Sequence, residues 1–156
     1  MISLLREERN NDIGGYEMIV LNLALKGIYG FHDFNINFSY PKRIVHSIIE
    51  QEYLEGRDRF RYKKAVILMG ANASGKTSLG KALFRIFRYM SDGNPTPIYE
   101  MVADDTGYFC IDFVNGDDRL QRLSVRIDAF HQDLEIQYQT ADIDTMDSYE
   151  KCITKL

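Results

Sequence analysis

"AVILMGANASGKTSLGKAL", residues 65–83, decides how this chain is read. Its first five residues are all apolar, the composition of a strand covered on both faces, as in the middle of a sheet flanked by helices. Gly70, Gly75, Lys76 and Thr77 then satisfy the spacing G-x-x-x-x-G-K-[ST]. Beyond the loop, Leu79, Ala82, Leu83, Ile86, Phe87 and Met90 recur at helical spacing, with Lys81, Arg85 and Arg88 turned elsewhere. The spacing predicts a helix from near Gly75 to just before "SDGNPTP", a loop by composition. Buried strand, glycine-rich loop and amphipathic helix together form the context in which that spacing holds phosphate.

The residue types follow from what a polyphosphate demands. Glycines let the backbone approach the anion without a Cβ in the way. Successive N–H groups converge on it, helped by the positive end of the following helix. Lys76 places its ammonium on the β- and γ-phosphates, which makes it the candidate catalytic residue, and the Thr77 hydroxyl ligates Mg²⁺. Ala71, Asn72, Ala73 and Ser74 form the arch and contribute mainly backbone N–H groups, and Ser78 reaches the α-phosphate. Residues 70–78 are thus the expected nucleotide site.

Upstream, residues 1–16 read as a loose leader ending in Gly14-Gly15. "MIVLNLAL" alternates, with Ile19, Leu21, Leu23 and Leu25 on one face, and "FNINF" repeats the pattern with Phe34, Ile36 and Phe38. Gly27 and Gly30 between them permit a tight reversal, so the two runs are expected to pair antiparallel. Residues 41–61 read as a helical insertion, with Ile44, Val45, Ile48, Ile49 and Tyr53 on one face and Gly56 as its stop.

"RDRFRYKK", residues 57–64, sets Arg57, Arg59, Arg61, Lys63 and Lys64 around Phe60 and Tyr62. The favoured reading is a solvated approach to the next strand with packed aromatics. The second is a nucleic-acid contact, in which cations follow phosphates and rings stack on bases.

Downstream, "YFCIDFV" and "RLSVRID" flank Asn115-Gly116, a hairpin signal, and "DLEIQYQ" supplies a third alternating strand. Asp104-Asp105 reads as a solvent-facing turn. Asp142, Asp144, Asp147 and Glu150 lack calcium-loop spacing and read as a solvated face or helix start.

At 156 residues the chain fits one domain. A net charge of −4 gives it no overall field toward nucleic acid, so any such binding needs a local patch. No apolar run approaches a membrane span or a signal-peptide core. Cys110 and Cys152 share no metal or redox spacing, which points to a reducing cytoplasm.

"LALKGIYGFHDFNINFS" followed by "AVILMGANASGKTSLGKAL" resembles the opening of the SMC/RecF/OLD-like ATPases, a branch of the ATP-binding-cassette class. The likeness covers roughly residues 18–90. Ile28-Tyr29 stand where that family often has Phe-Arg, while Phe31 and Asp33 fall where expected. The resemblance implies an α/β phosphate-loop NTPase lobe: a mixed sheet with an antiparallel meander and the loop's helix, spanning residues 17–156. It also implies ATP with Mg²⁺, a homodimer or larger assembly, and a role in DNA repair or phage defence.

No apolar run ends in Asp-Glu and no Ser-Gly-Gly occurs, so the Walker B and signature elements of such ATPases are missing from this sequence. His131, Gln132, Gln137 and Gln139 read as surface residues rather than a switch or magnesium sensor. The chain is therefore read as the N-terminal part of an ATPase that hydrolyses little alone. A non-hydrolysing nucleotide-binding regulatory module is the alternative, and a small kinase, disfavoured by the antiparallel strands ahead of the loop, is the third. Phe31, Phe34 and Phe38 are expected in the core, and Tyr29, in the turn, is the candidate for stacking on adenine.

Overall fold

The computed structural model describes residues 18–40, 52–72, 74–116 and 118–156. The leader and residues 41–51 lie outside the described residues. The alternating runs become β1 (Met18–Lys26), β2 (Phe34–Asn37), β5 (Thr106–Asn115), β6 (Arg119–Asp128) and β7 (Asp133–Asp142), and between them fall β3 (Tyr53–Leu54) and β4 (Arg57–Arg61). The helices are α1 (Lys76–Asp92) and two short ones, α2 (Thr96–Tyr99) and α3 (Tyr149–Ile153).

One five-stranded sheet runs in the order β2-β1-β5-β6-β7, and every neighbouring pair is antiparallel. This overturns the expected α/β phosphate-loop lobe with its mixed sheet. That expectation rested on residues 65–69 being a central strand. The segment instead forms no strand and joins no ladder, and its apolar side chains face outward, with Ile67 83% and Met69 89% exposed. A run apolar on both faces needs strand neighbours and covering layers to be buried. None of the described residues supplies them.

The two sheet faces carry separate cores. One core gathers Leu23 and Leu25 of β1, Phe109, Ile111 and Phe113 of β5, and Leu123, Val125 and Ile127 of β6. These pack on Leu79, Ala82, Ile86 and Tyr89 of α1 and Ile98 of α2. The opposite face carries Leu21, Val114 and Leu120 under Phe60 of β4 and Tyr149 and Cys152 of α3. Ile19, Leu21, Leu23 and Leu25 therefore do not share one face as the alternation predicts. The register shifts between Val20 and Asn22, a bulge that turns Ile19 and Leu21 toward the second core.

The helical insertion also needs correction. Within 52–61 the chain forms the β3–β4 hairpin, with Tyr53 opposite Arg61. Gly56 sits at its turn (φ 70°) rather than ending a helix. Phe60 is fully buried, edge-on to Tyr149 at 6.4 Å between ring centres.

Candidate functional site

α1 begins where the glycine-rich loop ends. Gly75 is its N-cap at φ 87°, a conformation that a Cβ disfavours, and the carbonyl of Gly75 accepts the first helical bond from Leu79 N at 2.9 Å. The apolar stripe of 79, 82 and 86, joined by Tyr89, fixes the helix against the sheet, and the Gly93 N–H closes its far end on the Tyr89 carbonyl at 2.8 Å. No acidic residue lies in the first turn. The positive end of the helix is thus uncompensated at the loop.

Lys76 folds back into the arch. Its ammonium donates to the carbonyls of Gly70 at 2.7 Å and Ala71 at 2.8 Å and to Ser74 Oγ at 2.9 Å. All three acceptors are neutral, and among the described residues no carboxylate pairs with it. The arch itself closes through Ser74 N to the Ala71 carbonyl at 3.3 Å.

Facing the loop is the turn from β1 to β2, and the two enclose a cleft of about 610 Å³. Tyr29, Gly30 and Phe31 form one wall, and Asn72, Ser74, Gly75, Lys76, Thr77 and Ser78 the other. The hydroxyls of Ser74, Thr77 and Ser78, one ammonium and a helix start thus converge on one opening, a set of donors suited to an anion. Gly70 and Ala71 hold the lysine through their carbonyls, and Ala73 lies outside the described residues. A larger groove of about 790 Å³ sets Asp104, Asp128, Asp133 and Glu135 against Lys26, His32 and Arg126. Its acidic majority suits an anion poorly.

The remaining candidates divide between the cleft wall, where Tyr29 and Phe31 stand, and positions away from it. Tyr29 stands on the cleft wall, with its ring beneath the Arg85 guanidinium at 5.7 Å and its hydroxyl buried. Phe31, Phe34 and Phe38 pack against the main core. His131 sits in the β6–β7 turn, bonded to Asp128 at 2.8 Å, and Gln132, Gln137 and Gln139 follow on that turn and on β7. His131, Gln132, Gln137 and Gln139 line no part of the cleft.

Arg57 is tied to Asp118 at 2.7 Å and to the Ile143 carbonyl at 2.6 Å, Arg61 to the Asp58 carbonyl, and Lys63 to the Asn37 carbonyl. Arg59 and Lys64 are exposed. With Phe60 in the core, this patch presents cations without that ring.

Sequence reasoning missed the polar centres of the second face. Asp112 is fully buried and held by Arg122 and Tyr149, and Asp147 is buried between Lys151 and Lys155 rather than solvated. The alternation of β5 and β6 places Asp112 and Arg122 opposite one another, the signal that could have found the first. Both cysteines are free and buried. No described helix is long and apolar enough to cross a membrane. No protein-family model matches the chain, and no curated protein matches it.

Proposed function

We propose that residues 70–78 bind the triphosphate tail of a nucleotide, ATP with Mg²⁺, in the manner of the SMC/RecF/OLD-like ATPases that the turn and loop resemble. One observation carries the reading. The Lys76 ammonium lies inside the arch on neutral acceptors only, at the start of a helix with no acidic first turn. A polyphosphate entering the cleft exchanges those carbonyl contacts for charge-assisted ones. Thr77 is exposed and lines the same opening, where its hydroxyl would ligate the metal.

Binding without hydrolysis is the second reading, and the cleft favours it for the described residues. Its lining contains no carboxylate or imidazole to orient water at a γ-phosphate. Hydrolysis therefore calls on groups from elsewhere, which the homodimer of the first reading supplies. A cytoplasmic location belongs to the same proposal, while a nucleic-acid contact through Arg57, Arg59, Arg61, Lys63 and Lys64 stays the less favoured reading of that patch. The choice of ATP over GTP rests on the resemblance.

Titration of a fluorescent ATP analogue with Mg²⁺ against wild type and Lys76→Ala tests it. The expected result is at least several-fold weaker binding by the variant, competed by inorganic tripolyphosphate. Equal affinity in the two proteins refutes the phosphate role of the loop.

A further inference from the structure

We infer that Phe31 is a positioning residue for the phosphate loop, acting through Gly75; the inference rests on the proposed role of that loop. The segment that leads into the loop, residues 65–70, belongs to no ladder. Among the described residues no ladder therefore steadies the arch from its strand side, and the support they give it comes from α1 and from the turn across the cleft. The contact from the turn is close. A Cβ added to Gly75 would stand 3.3 Å from both Cε1 and Cζ of Phe31, so the ring edge rests against the backbone of the one residue that turns the arch into the helix.

Phe31 can bear on Gly75 because it is itself fixed. Its N–H donates to the Ile28 carbonyl at 2.7 Å, and its carbonyl accepts from Gly27 N at 2.7 Å. Its ring meets Phe34 at 4.7 Å between centres. The turn is tied to the α2–β5 connection by Tyr29 N to the Met101 carbonyl at 2.9 Å and by Ala103 N to the Gly27 carbonyl at 3.2 Å. Gly27 in turn lies so close to β5 that a Cβ there would come within 2.6 Å of the Thr106 carbonyl oxygen. A continuous packed path thus runs from the central strand through the turn to the N-cap of α1. It holds Gly75 at φ 87° and the cleft open at a set width, preorganising the loop for its anion.

Three variants test this: Phe31→Ala, Phe31→Leu and, as a control, Ile36→Ala, which trims the same core from β2 and lines no part of the cleft. Each is measured for urea stability, for affinity toward a fluorescent ATP analogue with Mg²⁺, and for amide hydrogen exchange over residues 74–79. Phe31→Ala should bind about fivefold more weakly and exchange faster at 74–79, whereas Phe31→Leu should stay within about twofold of wild type. Ile36→Ala should lose stability but keep affinity and protection at 74–79.

The inference is overturned if Phe31→Ala leaves exchange at 74–79 unchanged, or if Ile36→Ala speeds it equally. Should wild type bind no nucleotide, the reading of the loop as a nucleotide site fails by itself. The exchange comparison then still decides the positioning role.

Discussion

The Asp112 carboxylate, fully buried on β5, receives both Nε and Nη2 of Arg122 from β6, at 2.7 and 2.8 Å. Tyr149 of α3 donates to the same carboxylate at 2.5 Å, so two strands and the C-terminal helix meet on one charge. Removing one partner of such a pair strands the other in a medium that solvates it poorly. Arg122→Ala should therefore lower the unfolding free energy by about 3 kcal/mol in urea titration. Tyr149→Phe, which removes one hydrogen bond to a charged group, should cost about 2 kcal/mol. A loss under about 0.5 kcal/mol for Arg122→Ala would place it with ordinary surface changes and remove the pair from any structural role.

Asp147 should set an acid limit on the fold. Burial pushes its carboxyl up, but hydrogen bonds from Lys151 and Lys155 outweigh that and hold it well below the usual carboxylate range. A carboxyl depressed in the folded state adds stability above its unfolded pKa, about 4, and that contribution is lost as pH falls toward the folded value. Stability should accordingly fall below about pH 4. In Asp147→Asn that part of the slope should be absent, with lower stability at neutral pH. Parallel pH profiles for the two proteins would count against the assignment.

Cys152 is fully buried beside Asp147, and burial followed by the Asp147 charge pushes its thiol up to about 11. Thiolate is the reactive form. At pH 8 a disulfide reagent should leave Cys152 unmodified in the native protein and modify it once urea unfolds the chain. Rapid native modification would place the thiol elsewhere.

Ile67 and Met69 stand exposed where a buried strand was expected. Replacing both with lysine should change unfolding free energy by no more than about 0.5 kcal/mol. It should also reduce binding of a hydrophobic dye and concentration-dependent self-association. A large stability loss would show these side chains buried in solution.

Legibility in the sequence followed how local each signal was. α1 could be read because the 79, 82, 83, 86 and 87 spacing is self-contained, and the β5–β6–β7 meander because Asn115-Gly116 and the alternation specify it locally. The β3–β4 hairpin was misread because "EYLEGRDRF" carries its apolar residues at spacings that a helix also allows, and only tertiary contact of Phe60 with Tyr149 separates the two. The fate of 65–69 was hidden for a related reason. Five apolar residues announce a strand, but a ladder needs neighbours, and neighbours are a property of the whole fold. At the candidate site, residues 70–78 follow from spacing and chemistry. The contact of Phe31 with Gly75 joins positions 44 apart in the chain, and no pattern of spacing encodes it.

Residues 65–70 also decide how the chain meets a protease. Proteases bind substrates as extended backbone, and this stretch pairs with no strand and exposes large apolar side chains. A thermolysin-type enzyme, which cuts before such side chains, should nick the native protein here first. That single cut severs the glycine-rich arch from β1 to β4 in sequence while both fragments should stay associated through the pairing of β1 with β5.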